Sequence, residues 1–184
     1  MHILLARHGP PNIESAKPLL TREMSQWITD YSRARLAKLE KSPGKNQSIP
    51  VKCALWYSSD LPRAVDSAIA LGIKPISLPL FREADLPHLN IPYLRLPPLV
   101  WVGLFRLAWF AGYGRNEKSI DTARARSVRA CRLLIDQAIQ KGSVGLIGHG
   151  VMNKLIGRNL LAEGWKRSIR SGNSYWSHSL YHLG

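Results

Sequence analysis

The sequence predicts an α/β protein with a largely parallel sheet and helices on both faces. Two observations carry this. Short apolar runs (His2–Ala6, Val51–Tyr57, Ile76–Phe81 and Ser143–Ile147) stop abruptly, three of them at clusters containing Gly, Pro or Ser and the Ile76–Phe81 run at the polar Arg82-Glu83, as buried strands do where they turn. Between them lie segments with helical spacing, so strand and helix alternate rather than falling into blocks, the order that builds a parallel sheet. The 184 residues suffice for one domain spanning 1–184 with a sizeable core.

Taken in order, the first strand ends in Arg7-His8-Gly9, followed by a loop through Pro10, Pro11 and Pro18. A helix is expected from Leu20-Thr21 to about Glu40, with Thr21 as its N-cap. Lys41 to Pro50 is polar and rich in breakers, hence a surface loop. The second strand delivers Ser58-Ser59-Asp60, and Pro62 suits the first turn of a helix running to about Leu71, with Arg63 in its opening turn. The third strand, interrupted by Pro79, delivers Arg82-Glu83-Ala84-Asp85. Residues 87–98 are proline-rich and extended.

Leu99 to Phe110 carries Trp101, Phe105, Trp109, Phe110 and a single charge, Arg106. A bilayer span needs about 20 apolar residues, which excludes a transmembrane segment here. A buried helix, a lid over a site, and a surface that meets lipid at the membrane periphery or a partner all remain open. From Ser119 to Gln140, Ile120, Ala123, Val128, Cys131, Leu134, Ile135 and Ala138 form an apolar stripe, with Arg124, Arg126, Arg129 and Arg132 on a solvated face. The fourth strand ends in Gly148-His149-Gly150 and a helix follows to about Ala162. A basic loop then leads to a last strand, Tyr175 to Leu183, at a sheet edge.

Net charge is +14, which favours anionic ligands and speeds encounter with them. The cations are spread over Arg22–Lys45, Arg115–Lys141 and Lys154–Arg170, a charged globular surface rather than a nucleic-acid-binding tail, and no aromatic-basic module appears. Cys53 and Cys131 lack metal-ligand spacing and read as buried thiols of a reducing compartment. With no charged n-region or cleavage site at the amino terminus, a cytoplasmic location is expected.

The strand ends present Arg7 and His8, then Arg63, then Glu83, then His149. In a parallel sheet these ends share one edge, where α/β folds place their ligands. Two arginines match phosphate oxygens with planar donor forks. One neutral imidazole can attack phosphorus while a second shares the developing charge, and a carboxyl group can protonate the leaving oxygen and later activate water. This set resembles the histidine phosphatase superfamily, the phosphoglycerate-mutase-like group. The resemblance rests on Arg7-His8-Gly9, Ser58-Ser59-Asp60-Leu61-Pro62-Arg63-Ala64, Phe81-Arg82-Glu83 and Gly148-His149-Gly150, supported by Leu20-Thr21, Glu117-Lys118-Ser119 and Asn173-Ser174.

The resemblance implies a three-layer α/β/α sandwich and a phosphatase acting on a phosphomonoester or a protein phosphohistidine, without metal or cofactor. His8 would carry the phosphoryl group; Arg7, Arg63 and His149 would hold it; Glu83 would serve as acid and then base, with Asp85 as the alternative. The Pro- and Trp-rich stretch at about 87–115 stands where the family builds its specificity cap. Two departures matter. Pro10-Pro11-Asn12-Ile13-Glu14 replaces the usual phosphate-contacting loop, leaving Asn12 as a shifted candidate. Leu86-Pro87-His88-Leu89-Asn90 replaces a pattern that mutases use, which favours a hydrolase. His88 reads as a loop residue rather than a substrate contact. A catalytically idle phosphate- or anion-binding protein of the same fold is the alternative, and the intact five-residue set argues against it. The sequence leaves the substrate's identity and the oligomeric state open.

Overall fold

The computed structural model describes residues 1–37, 52–87, 91–112 and 120–183. Strand β1 (His2–Arg7) is an apolar run because both its faces are covered, with Ile3 to Ala6 all buried. It pairs in parallel with β4 (Ser143–Gly148), Arg7 lying opposite Gly148. On the far side of β4 runs β2 (Leu55–Ser59), then β3 (Ile76–Leu78), both parallel to their neighbours. On the far side of β1, β6 (His178–His182) and β5 (Lys166–Arg170) are antiparallel, giving the order β3-β2-β4-β1-β6-β5. The sheet is therefore mixed, with a parallel majority of four strands.

Helices α4 (Ile120–Lys141) and α5 (Gly150–Ala162) pack on one face against Ile3, Leu5, Val144, Leu146 and Tyr181. Helix α2 (Pro62–Ala70) packs on the other against Leu4, Ala6 and Ile147 through Ala64 and Ala68. These are the three layers expected. A satellite core joins α1 (Met24–Arg33) to α3 (Pro98–Phe110) through Met24, Trp27, Trp101 and Phe105. Fully burying Met24 and Phe105 contributes about 1.5–3 kcal/mol each.

Several expectations are corrected. The basic segment read as a loop is β5, the true sheet edge, so β6 is interior. Every β5 residue is exposed, so no apolar alternation marks it, and cations suit an open edge. Helix α1 stops at Arg33 rather than near Glu40, because Ala34 turns extended and the chain returns along Pro10–Asn12. Thr21 is not the N-cap. It opens a short 3₁₀ turn, Thr21–Glu23, whose Leu20 N–H is bound by the Glu23 carboxylate. The Thr21 hydroxyl instead donates to the Ile91 carbonyl and accepts from the Ile91 N–H.

Strand β3 ends at Leu78, where Pro79 begins a 3₁₀ turn that carries Phe81 into the core. The buried stripe of α4 runs through Ala123, Ser127, Ala130, Cys131, Leu134 and Ala138, leaving Val128 outside it. Burial pushes both thiols up to about 11, with Cys131 buried and Cys53 half-buried. Helix α3 is a buried helix along one side only. Trp101, Phe105 and Trp109 are core, while Leu107 and Phe110 stay 68% and 53% exposed. None of the described helices is long and apolar enough to cross a membrane. The expectations for His88, for the 41–50 loop and for Glu117-Lys118-Ser119 fall outside the described residues.

Candidate active site

The parallel core brings Arg7, His8, Arg63, Glu83 and His149 to one edge. His8 follows β1, His149 follows β4, Arg63 stands in the first turn of α2 and Glu83 follows the turn after β3. Gly9 allows the chain to leave β1 tightly; a Cβ there would collide with the side chains of Trp176 and Leu36. The Gly9 N–H donates to Ser67 on α2, tying this turn to the helix that bears Arg63.

The two imidazoles lie edge to face, 4.8 Å between centroids, and both are buried. His8 Nδ1 sits 2.6 Å from the Gly9 carbonyl, which can only accept, so Nδ1 carries the proton and Nε2 presents its lone pair. Arg63 Nε–H donates to that lone pair at 3.2 Å. The same guanidinium donates to the Tyr31 carbonyl at 2.8 Å and approaches His149 Nδ1 at 3.4 Å. His149 therefore holds its proton on Nε2, and that atom and Arg7 Nε are buried without a hydrogen-bond partner among the described residues.

Burial first, and then the surrounding cations, hold both imidazoles well below their usual range. For His8 the neighbours are His149, Arg63 and Arg7, opposed by the Gly9 carbonyl; for His149 they are Arg63, Arg7, Arg126 and Arg106. Both are neutral at pH 7. Arg63 itself is lowered by burial. The Tyr31 ring beneath its guanidinium, 4.5 Å away, is pushed up to about 12 by burial and the neighbouring Tyr175.

The Glu83 carboxylate meets the start of α5, whose first N–H groups have no partner within the helix. It accepts from Met152 N–H at 3.0 Å and Val151 N–H at 3.2 Å, as well as from Ala84 N–H. Two arginines fix the loop from behind. Arg126 donates to the Glu83 carbonyl, and Arg106 donates to the carbonyls of Ala84 and Asp85. Arg7, Arg63, Glu83 and Asp85 line a cleft of about 830 Å³ that α3 flanks through Leu99, Val102 and Arg106.

Asn12 does not join this group. It is exposed, and its backbone N–H bonds the Arg35 carbonyl, which draws the loop toward residues 35–37. Sequence reasoning also missed Arg126, assigned to a solvated face, and the placing of Arg106, Asn173 and Tyr175. Arg7 donates to the Asn173 carbonyl at 2.6 Å and lies over the Tyr175 ring. A signal existed for Arg106, the single charge in an otherwise apolar helix; Arg126 was hidden among four arginines of one helix.

Neither a scan against family models nor a comparison with curated proteins finds a match to the sequence. Solved structures do resemble it. A mycobacterial glucosyl-3-phosphoglycerate phosphatase superimposes with a TM-score of 0.55 at 22% identity, over 88% of this chain and 79% of that one. A phosphoglycerate mutase from Thermus thermophilus gives 0.53 at 23%, over 87% and 84%. The fold is that of the phosphoglycerate-mutase-like histidine phosphatases. A structure called mycobacterial hydrolase 1 superimposes with a TM-score of 0.53 at 21% identity, over 88% and 80%.

Proposed function

We propose that the chain is a phosphomonoester hydrolase that works through a phosphohistidine on His8. The observation that carries this reading is the pair of unpartnered buried donors, Arg7 Nε and His149 Nε2, beside the one imidazole lone pair that a backbone carbonyl orients. A bound phosphoryl group would accept from both donors and draw the Arg63 guanidinium off His8 Nε2. The freed lone pair then attacks phosphorus as the bond to the leaving oxygen breaks, and that oxygen takes a proton from the Glu83 carboxyl. Water next attacks phosphorus and gives its proton to Glu83. The P–N bond breaks and its electrons return to Nε2. Arg7, Arg63 and His149 stabilise the phosphoryl oxygens in both steps; removing one such preorganised donor costs on the order of 10²–10³ in rate.

Two of the similar structures bear the names of a phosphatase and a mutase, and both chemistries begin on a phosphorylated small molecule. A hydrolase is favoured here because Leu86-Pro87-His88-Leu89-Asn90 stands in place of the pattern that mutases use. The stretch at about 87–115, with α3 at its centre, would act as the specificity cap within one domain. In this reading the reaction needs no metal, the leaving group belongs to a small molecule or a protein, and nucleic acid is not a partner. The test is hydrolysis of an aryl phosphate with and without EDTA, with orthophosphate as inhibitor. Turnover unaffected by EDTA and inhibited competitively by phosphate is expected. Binding of phosphate without turnover would instead support the idle anion-binding protein.

A further inference from the structure

We propose that a groove beside the phosphoryl pocket binds a second anionic group, so that the substrate is a small molecule bearing two or more phosphates. This rests on the phosphatase reading and extends it to substrate class. The groove lies on the α5 face of the sheet and is continuous with the same cleft. Its floor includes Ser179 and Tyr181 of β6. A Cβ at Gly157 would collide with the Tyr181 hydroxyl, so the bare glycine lets the strand floor and helix meet there.

Four cations line the walls. Lys154 and Arg158 stand four residues apart on α5 and so share a face of the helix. Arg167 and Arg170 belong to β5, where residues three apart would ordinarily point to opposite faces. A bulge between Arg167 and Ile169 changes this. Arg167 lies opposite Tyr181 and Arg170 opposite Ser179, and those two β6 residues, two apart, share one face. The irregularity thus turns both arginines to the side that carries Lys154 and Arg158.

None of the four cations has a carboxylate ion-pair partner among the described residues; of the acidic side chains lining the cleft, Glu83 is held by the Val151 and Met152 N–H groups at the start of α5, and Asp85 follows it on the same loop. The groove also connects to the pocket directly. Arg170 donates to the Asn173 side chain at 3.4 Å, and the Asn173 carbonyl receives Arg7. A phosphate held by Arg7 therefore has, along α5 and β5, cations without a carboxylate partner among the described residues, suited to its next anionic neighbour.

The test compares inorganic tripolyphosphate with orthophosphate as inhibitors of aryl phosphate hydrolysis. Wild-type protein should be inhibited by tripolyphosphate at concentrations roughly tenfold lower. In Arg158→Ala/Arg167→Ala that preference should fall to about twofold or less, with aryl phosphate kinetics and orthophosphate inhibition little changed. The exposed pair Arg132→Ala/Lys141→Ala, outside the groove, controls for diffuse charge and should keep the preference. The inference is overturned if wild type shows no preference, if the groove variant keeps it, or if the control loses it equally. Calorimetric titration of both anions reads the same contrast without turnover. Groove-dependent tripolyphosphate binding by a protein that fails to hydrolyse aryl phosphate would refute the catalytic reading and leave the groove standing.

Discussion

The edge formed by the ends of β1 and β4 and the helix α3 lie on the same cleft but are built oppositely. At the edge the buried side chains are polar: His8, Arg63 and His149 are each 2% exposed or less and linked to one another by hydrogen bonds. In α3 the buried side chains are Pro98 and the aromatics Trp101, Phe105 and Trp109, while Leu107 and Phe110 are exposed. Polar burial is costly wherever an atom lacks a partner, so the hydrogen bonds that are made fix geometry and the donors left over, Arg7 Nε and His149 Nε2, favour a ligand. Apolar burial needs only filled volume and tolerates changes on its outer face. In the proposed function the chemistry belongs to the edge, and α3 would shape what reaches it. Arg106 crosses between the two regions, from an aromatic helix to the loop of Glu83.

This contrast can be broken at either end. His8→Ala should abolish aryl phosphate turnover, by about 10⁴-fold or more, with little loss of melting temperature. Trp101→Ala should do the reverse. It should destabilise the protein by about 3–5 kcal/mol, because the ring is fully buried and its indole N–H donates to the Leu19 carbonyl, while folded protein at low temperature keeps most of its kcat. Thermal unfolding and single-temperature kinetics together separate the two cases.

Acid should weaken the edge before the cap. His8 and His149 are held below their ordinary value near 6.5, so the unfolded chain takes up protons that the folded one refuses. The stability from keeping them neutral is whole above about pH 6.5 and is lost as pH falls toward their folded values, by about 1.4 kcal/mol per imidazole per pH unit. Denaturant midpoints between pH 7.5 and 5 should fall accordingly, and less so in His149→Gln. Smaller still, Arg106→Ala should lower kcat by roughly tenfold through a displaced Glu83 loop, and shift the pH profile, with KM little changed. Leu107→Ser should alter stability by less than about 0.5 kcal/mol and leave aryl phosphate kinetics unmoved.

The fold class and the convergence of five side chains were legible because each rests on local signals: an apolar run, an abrupt stop, a polar residue at the stop. A parallel sheet does the rest by placing like ends together. Strand β5 was hidden because an all-exposed edge strand has no apolar period. The end of α1 was hidden because Arg35 to Ala37 leave the helix to pair with Pro10–Asn12, a long-range choice that helix propensity does not record. That pairing also removes Asn12 from the site. Arg126 looked like its solvated neighbours because its partner, the Glu83 carbonyl, is 43 residues away in the chain.

The central claim is that His8 Nε2 forms the bond to phosphorus, and rapid acid and base quenching of turnover with a labelled substrate tests it most directly. The account predicts an acid-labile, base-stable label on the peptide containing His8, absent from His8→Ala. Steady turnover with label on another residue, or an undiminished rate in His8→Ala, would contradict it.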